Sequence, residues 1–135
     1  ELLKINDEEI KILGSWAGVE TDDELAICKL LIGTFPKLNE ILLTKGAQGA
    51  LYYSSETTLH VGVYDVKVAD TIGAGDSFLA AFLAKKLQGE TIQNALEQAA
   101  LVSAFVASKS GANPIYTEDD LIEFKKSSIL KKPLR

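Results

Sequence analysis

Val68-Ala69-Asp70-Thr71-Ile72-Gly73-Ala74-Gly75-Asp76-Ser77-Phe78-Leu79-Ala80-Ala81-Phe82 is the stretch on which the reading of this chain turns. A β-branched run over residues 61–68 ends at Asp70, two glycines bracket one alanine, and a helical pattern opens with Asp76. Glycines at 73 and 75 permit a sharp turn and a close backbone approach to a ligand, because neither carries a Cβ. The first amides of the following helix lack intrahelical acceptors, and the helix dipole adds partial positive charge there. Such a corner attracts anions, phosphate above all. Asp76 sets a carboxylate among those donors, and an anion hole beside a base suits phosphoryl transfer to a hydroxyl. A plainer reading of the same residues stays open: glycines that shape a loop, with Asp70 and Asp76 as helix caps.

Working outward, composition narrows the field. With 47% hydrophobic and 24% charged residues, the 135-residue chain reads as one globular domain, able to bury about two thirds of its unfolded surface. A formal charge of −5 argues against a nucleic-acid partner, since such proteins carry clustered Lys and Arg on one face. The one basic cluster, Lys125, Lys126, Lys131, Lys132 and Arg135, reads as a solvated tail. No apolar run reaches the length of a membrane span. Cys28 is the only cysteine, so it reads as a small core residue in a reducing, cytoplasmic setting. The chain begins at Glu1 without a methionine and is expected to lack its natural N-terminus.

Leu2-Leu3-Lys4-Ile5 reads as the end of a strand, and Asn6 as the cap of a helix through Ile10, Leu13 and Trp16 or Ala17. Glu9, three residues after Asn6, completes a capping-box pattern. Residues 14–20 are expected to break that helix, with Trp16 packed in the core or against a helix. Thr21 or Asp22 opens a second helix through Leu25, Ala26, Leu30 and Leu31, which ends before Pro36. Glu40-Ile41-Leu42-Leu43-Thr44 predicts a buried parallel strand. After Lys45-Gly46-Ala47-Gln48-Gly49, the run Ala50-Leu51-Tyr52-Tyr53-Ser54 predicts the second arm of a hairpin. Lys45 is read as reaching either a phosphate or solvent.

Residues 59–64 and 66–68 predict two more strands, with His60 surface or half-buried. Helices are predicted over 77–88, with Gly89 as the stop, and from Ile92 through Lys109 after a Thr91 cap. Thr117-Glu118-Asp119-Asp120 caps a last short helix, and residues 127–135 read as frayed. The order β, α, α, β, β, β, α, α, α implies an α/β sandwich with a mostly parallel sheet and ligand loops at the strands' carboxyl ends.

The string Asp70-Thr71-Ile72-Gly73-Ala74-Gly75-Asp76-Ser77-Phe78 resembles the D-T-x-G-A-G-D-x-F signature of the ribokinase-like (PfkB) family of sugar and nucleoside kinases. Seven specified positions fall in register, and the neighbouring segments agree. The resemblance covers nearly the whole chain, but only the C-terminal part of such a kinase. It implies the C-terminal portion of a three-layer α/β/α sandwich, with the N-terminal sugar-binding part and the lid absent from residues 1–135. Such a piece is expected to be inactive alone, with a sheet edge and some apolar surface uncovered.

By the same resemblance, Asp76 is the base, the amides of Ala74, Gly75 and Asp76 stabilise the moving phosphoryl group, and Gly73 shapes the turn. Asn6-x-x-Glu9 resembles the family's N-x-x-E motif near Mg²⁺ and the nucleotide phosphates, where Glu9 acts on the metal through water. Thr44, Gly46 and Gly49 match the T-x-G-x-x-G turn along the ATP phosphates and ribose. Ala100 and Ser103 are the implied wall of the adenine pocket; some members carry asparagine where Ala100 aligns. Asp70, Ile72, Val106, Gly111 and Ile115 fall at the positions of a monovalent-cation (K⁺) site.

The expected partners are ATP and a small-molecule sugar, and a homodimer is compatible with the reading. Residues 70–81 and 104–112 look most like fructokinase and related hexose or ribose kinases, with adenosine kinase as the alternative acceptor class. A non-catalytic nucleotide-binding remnant is the alternative of a different kind, against which the intact Asp76 speaks. A Rossmann dehydrogenase fits less well, because no G-x-G-x-x-G follows a strand.

Overall fold

β1 (Leu2–Asn6) and β2 (Glu40–Thr44) pair in parallel from Leu2 opposite Glu40 to Asn6 opposite Thr44. Between them run α1 (Asp7–Trp16) and α2 (Glu24–Thr34). The computed structural model describes residues 1–67, 69, 73–109 and 116–127, and the backbone of 129–131. β3 (Ala50–Ser54) returns antiparallel to β2 after the 3₁₀ turn Gly46–Gln48, and β4 (Thr58–Val61) follows, giving the order β1-β2-β3-β4. The chain divides into two compact units, Glu1–His60 and Val61–Arg135.

In the first unit α1 and α2 cover one sheet face. Ile5, Ile41, Leu43 and Leu51 from the strands meet Ile10, Ile27, Cys28 and Leu31 from the helices. Leu42 points to the opposite face and is buried as well, so β2 has no solvated side, as its unbroken apolar run predicts.

Two details of α1 differ from the sequence reading. Gly14 does not break the helix; it is buried within it, where a Cβ would come within 3.1 Å of the Ile27 side chain. The missing side chain is what lets α2 approach. Trp16 is 79% exposed rather than packed. The inward face is marked by Ile10 and Gly14, and six residues beyond Ile10 is about 240° around the helix axis. α2 is capped by Asp23, whose carboxylate accepts from the Ala26 amide, while the Thr21 hydroxyl accepts from the Asp23 amide.

The second unit contains β5 (Val63–Asp65), α3 (Ala74–Leu87), α4 (Ile92–Ala107), α5 (Glu118–Ser127) and β6 (Ile129–Lys131). α4 is buried at Ala95, Leu96, Ala99, Ala100, Leu101, Val102, Ala104, Phe105 and Val106. Its alanines let α3 approach closely with Phe78 and Phe82 turned inward. Phe105 meets Phe124 of α5 edge to face at 5.4 Å between ring centroids.

Several boundaries move in this unit. The strand expected over 59–64 is divided at Gly62 into β4 and β5, and Val66 and Lys67 are not in a strand. Val68 lies outside the described residues. α3 begins at Ala74, three residues before the expected start, and α4 stops at Ala107 instead of Lys109. The tail expected to fray contains β6, which pairs antiparallel with β5. No helix among the described residues is long and apolar enough to cross a membrane.

Two outcomes follow from the first unit's core. Gly14→Val should destabilise the fold by about 1–3 kcal/mol in chemical denaturation, because the fully buried Ile27 has nowhere to retreat. Burial pushes the Cys28 thiol up from 9.0 to about 12, with Glu24 and then Asp23 adding to the shift. At pH 8 a thiol reagent should therefore label Cys28 only after unfolding. The unfolded thiol loses its proton first, so the contribution of Cys28 to stability is complete below about pH 9 and is lost as the pH climbs towards about 12.

Candidate functional site

The corner that ends at Asp76 is built on one backbone choice. Gly73 is the N-cap of α3 in the left-handed region (φ +83°, ψ −7°) and supplies no side chain for capping. The first intrahelical bond runs from the Ser77 amide to the Gly73 carbonyl at 2.9 Å. The amides of Ala74, Gly75 and Asp76 thus belong to the first turn, where no carbonyl lies four residues back within the helix. Asp76 sits three residues beyond the cap with its side chain exposed, so it is not the N-cap of the plainer reading. Its negative charge is favoured by the positive end of the helix dipole.

α4 supports this turn from below. The Ser103 hydroxyl donates to the Ala74 carbonyl at 3.1 Å, and the Ala69 amide donates to the Ala107 carbonyl at 2.8 Å. Ala100, one turn before Ser103 on α4, is buried. The structure therefore brings Gly73, Ala74, Gly75, Asp76 and Ser103 together. Val106 is buried too, and its carbonyl accepts from the Lys109 amide at 3.1 Å. Asp70, Ile72, Gly111 and Ile115 of the expected monovalent-cation set lie outside the described residues.

In the first unit, parallel pairing sets Asn6 opposite Thr44 at the carboxyl ends of adjacent strands. The capping box read from the sequence is complete. Asn6 Oδ1 accepts from the Glu8 and Glu9 amides at 3.0 and 2.8 Å, and Glu9 Oε1 accepts from the Asn6 amide at 3.0 Å. Asn6 Oδ1 is committed to the cap, whereas the second carboxylate oxygen of exposed Glu9 stays outside this exchange. Among the described residues no group of three or more His, Cys, Asp or Glu could enclose a metal. One exposed carboxylate suits Mg²⁺, which keeps several of its waters and takes few protein ligands.

Thr44 leads into a turn closed by its own backbone. Lys45 donates to the Gly49 carbonyl at 2.8 Å, Gln48 to Lys45 at 3.0 Å and Gly49 to Gly46 at 3.1 Å. The amides of Gly46 and Ala47 are left out of this set. Gly46 (φ +55°) and Gly49 (φ +93°) both need a residue without Cβ. Lys45 departs from both sequence readings: it is buried, and Nζ lies 3.5 Å from Glu24 Oε1 at the start of α2. Nothing in the spacing of residues 24 and 45 announces that pair. His60 is half-buried, as expected.

Comparison with known proteins bears on these motifs together. Residues 1–119 match the profile of the pfkB family of carbohydrate kinases. The chain is 32% identical over 112 residues to a deoxyribokinase of Salmonella typhi, covering 82% of this chain and 36% of that protein. It is 29% identical over 121 residues to fructokinase-2 of Solanum lycopersicum, with 84% and 35% covered. A solved structure of a putative ribokinase II from E. coli, in complex with ATP and Mg²⁺, superposes with a TM-score of 0.77 at 27% identity, over 93% of this chain and 39% of that one. Arabidopsis thaliana ribokinase, complexed with ribose and ATP, superposes with a TM-score of 0.79 at 22% identity, over 93% and 41%. These likenesses establish the α/β ribokinase fold. The chain spans little more than a third of the curated relatives it matches.

The capping exchange predicts that Asn6→Ala lowers stability by about 1 kcal/mol, whereas Asn6→Asp keeps most of it. Thermal denaturation of the two variants side by side measures the difference.

Proposed function

From the premise that this chain belongs to the pfkB family of carbohydrate kinases, we propose that the intact protein transfers the γ-phosphoryl group of ATP to a sugar hydroxyl. The observation that carries the reading is the Gly73 corner, where three first-turn amides and the exposed Asp76 carboxylate occupy one helix end. Asp76 accepts the proton of the acceptor hydroxyl as its oxygen attacks phosphorus. The amides of Ala74, Gly75 and Asp76 receive the charge that develops on the transferring group, and Gly73 sets their direction.

Thr44, Gly46 and Gly49 hold the nucleotide phosphates and ribose in this reading, and Ala100 and Ser103 line the adenine side. Since Ser103 donates to Ala74, its part is to fasten that wall to the catalytic turn. Glu9 faces Mg²⁺ through water, with Asn6 keeping it in place through the cap. Mg²⁺, when bound, neutralises phosphate charge. A K⁺ site at Asp70, Ile72, Val106, Gly111 and Ile115 belongs to the same proposal, and a neighbour of the same fold, phosphofructokinase-2 of Escherichia coli, was solved with potassium.

Magnitudes rank these contributions. A general base supplies about 10²–10⁴ in rate, or roughly 3–5 kcal/mol. Enzymes lower their barriers by about 8–23 kcal/mol. Alignment and preorganised charge must supply the remainder, as phosphoryl transfer requires. A sugar is preferred to a nucleoside as acceptor because the deoxyribokinase and the fructokinases are named for sugars. Acceptor contacts are proposed to come from outside these 135 residues, as are the residues that would make the chain active.

A coupled assay of the intact protein against hexoses, ribose and nucleosides should find ATP-dependent turnover with a sugar. ATP binding without turnover on any acceptor would instead mark a non-catalytic remnant. In the same assay Asp76→Asn should lower kcat by about 10²–10⁴ with little change in ATP affinity. Near-wild-type turnover in that variant would remove Asp76 from the role of base.

A further inference from the structure

Among the described residues, Lys45 is the charged residue that the fold buries. Its side chain is 7% exposed and its Nζ lies 3.5 Å from Glu24 Oε1, itself 23% exposed. The lysine opens the turn over residues 45–49, and its backbone amide and carbonyl make two of the three hydrogen bonds that close it. Glu24 is the first residue of α2, next to the Asp23 cap. The ion pair therefore joins a glycine-containing turn, with two amides left out of its own bonding, to the positive end of a helix.

We propose that Lys45 is a positioning residue for nucleotide binding. Held by Glu24, it clamps the turn against α2 and so fixes the direction of the Gly46 and Ala47 amides towards phosphate. This rests on the kinase reading above and adds a determinant to it. The alternative in which Lys45 itself touches phosphate runs against its burial and its partner.

The two charges are not equivalent. Glu24 lies at a helix N-terminus that favours a carboxylate and keeps some solvent, so it tolerates loss of the lysine. Lys45 is almost fully enclosed, and without Glu24 it becomes an uncompensated buried cation. Removing the glutamate should accordingly disturb the turn more than removing the lysine, and removing both should relieve the disturbance.

The test uses Glu24→Gln, Lys45→Met and the double variant in the intact protein. Amide hydrogen exchange over residues 46–50 should accelerate by about 10-fold in Glu24→Gln, less in Lys45→Met, and no more in the double variant than in Lys45→Met. The KM for ATP should follow the same order, rising about 10-fold in Glu24→Gln with kcat within about 2-fold of the parent. Exchange unchanged at 46–50 overturns the clamp whatever the protein catalyses. Faster exchange with an unchanged KM overturns its link to nucleotide while leaving the kinase assignment standing. A larger KM penalty in Lys45→Met than in Glu24→Gln makes Lys45 a direct ligand and overturns positioning. Absence of both ATP binding and turnover in the parent protein sinks the kinase reading, and the nucleotide role of the clamp with it.

Discussion

The left-handed turn at Gly73 decides where α3 starts, and the start of α3 decides where the first-turn amides point. A side chain at that position would press its Cβ against the following carbonyl, at a cost of about 1–2 kcal/mol. Glycine avoids the clash and leaves the cap bare. Residue 73 offers no capping oxygen, so the first-turn amides have no acceptor within the helix or on the cap side chain. The support lies underneath, where Ser103 of α4 grips the Ala74 carbonyl and where Phe78 and Phe82 of α3 are buried. Burying each phenyl ring contributes about 1.5–3 kcal/mol, which offsets the exposed polar end.

A comparable economy operates in the first unit. Parallel pairing of β1 with β2 puts both carboxyl ends on one side, so Asn6 and Thr44 come into register although they lie far apart in the sequence. Ligands of α/β proteins gather at that side of the sheet because helices begin there and their amides face outward. Asn6 spends its carbonyl oxygen on the helix, and Glu9 returns one oxygen to the Asn6 amide while keeping the other. The cap thereby leaves one Glu9 carboxylate oxygen outside the exchange, where the proposed role towards Mg²⁺ would need it.

Much of this could be read from residue order. The buried run at 40–44, the hairpin around residues 45–49 and the caps at Asn6, Thr91 and Thr117 are local patterns, and the structure contains each of them. The D-T-x-G-A-G-D-x-F string, with the neighbouring segments that agree with it, carried the resemblance to the family whose profile matches residues 1–119. What escaped were features whose cause lies far along the chain. Gly14 looks like a helix breaker until Ile27 is set against it. Trp16 looks like core until the inward face of α1 is known, and the tail looks frayed until β5 offers it an edge.

Sequence alone determined the α/β class and the glycine corner with its carboxylate, which rest on short-range periodicity, caps and backbone permission, and it pointed to the family through the resemblance of residues 70–78 to a known signature. Only the tertiary structure decided that Lys45 is buried on Glu24, that Ser103 fastens α4 to the start of α3, and that α3 begins three residues before its apolar pattern does. The reason is physical. Local propensity is settled within a few residues, whereas a charge finds its partner, or a helix its first turn, only when distant segments have removed the competing water.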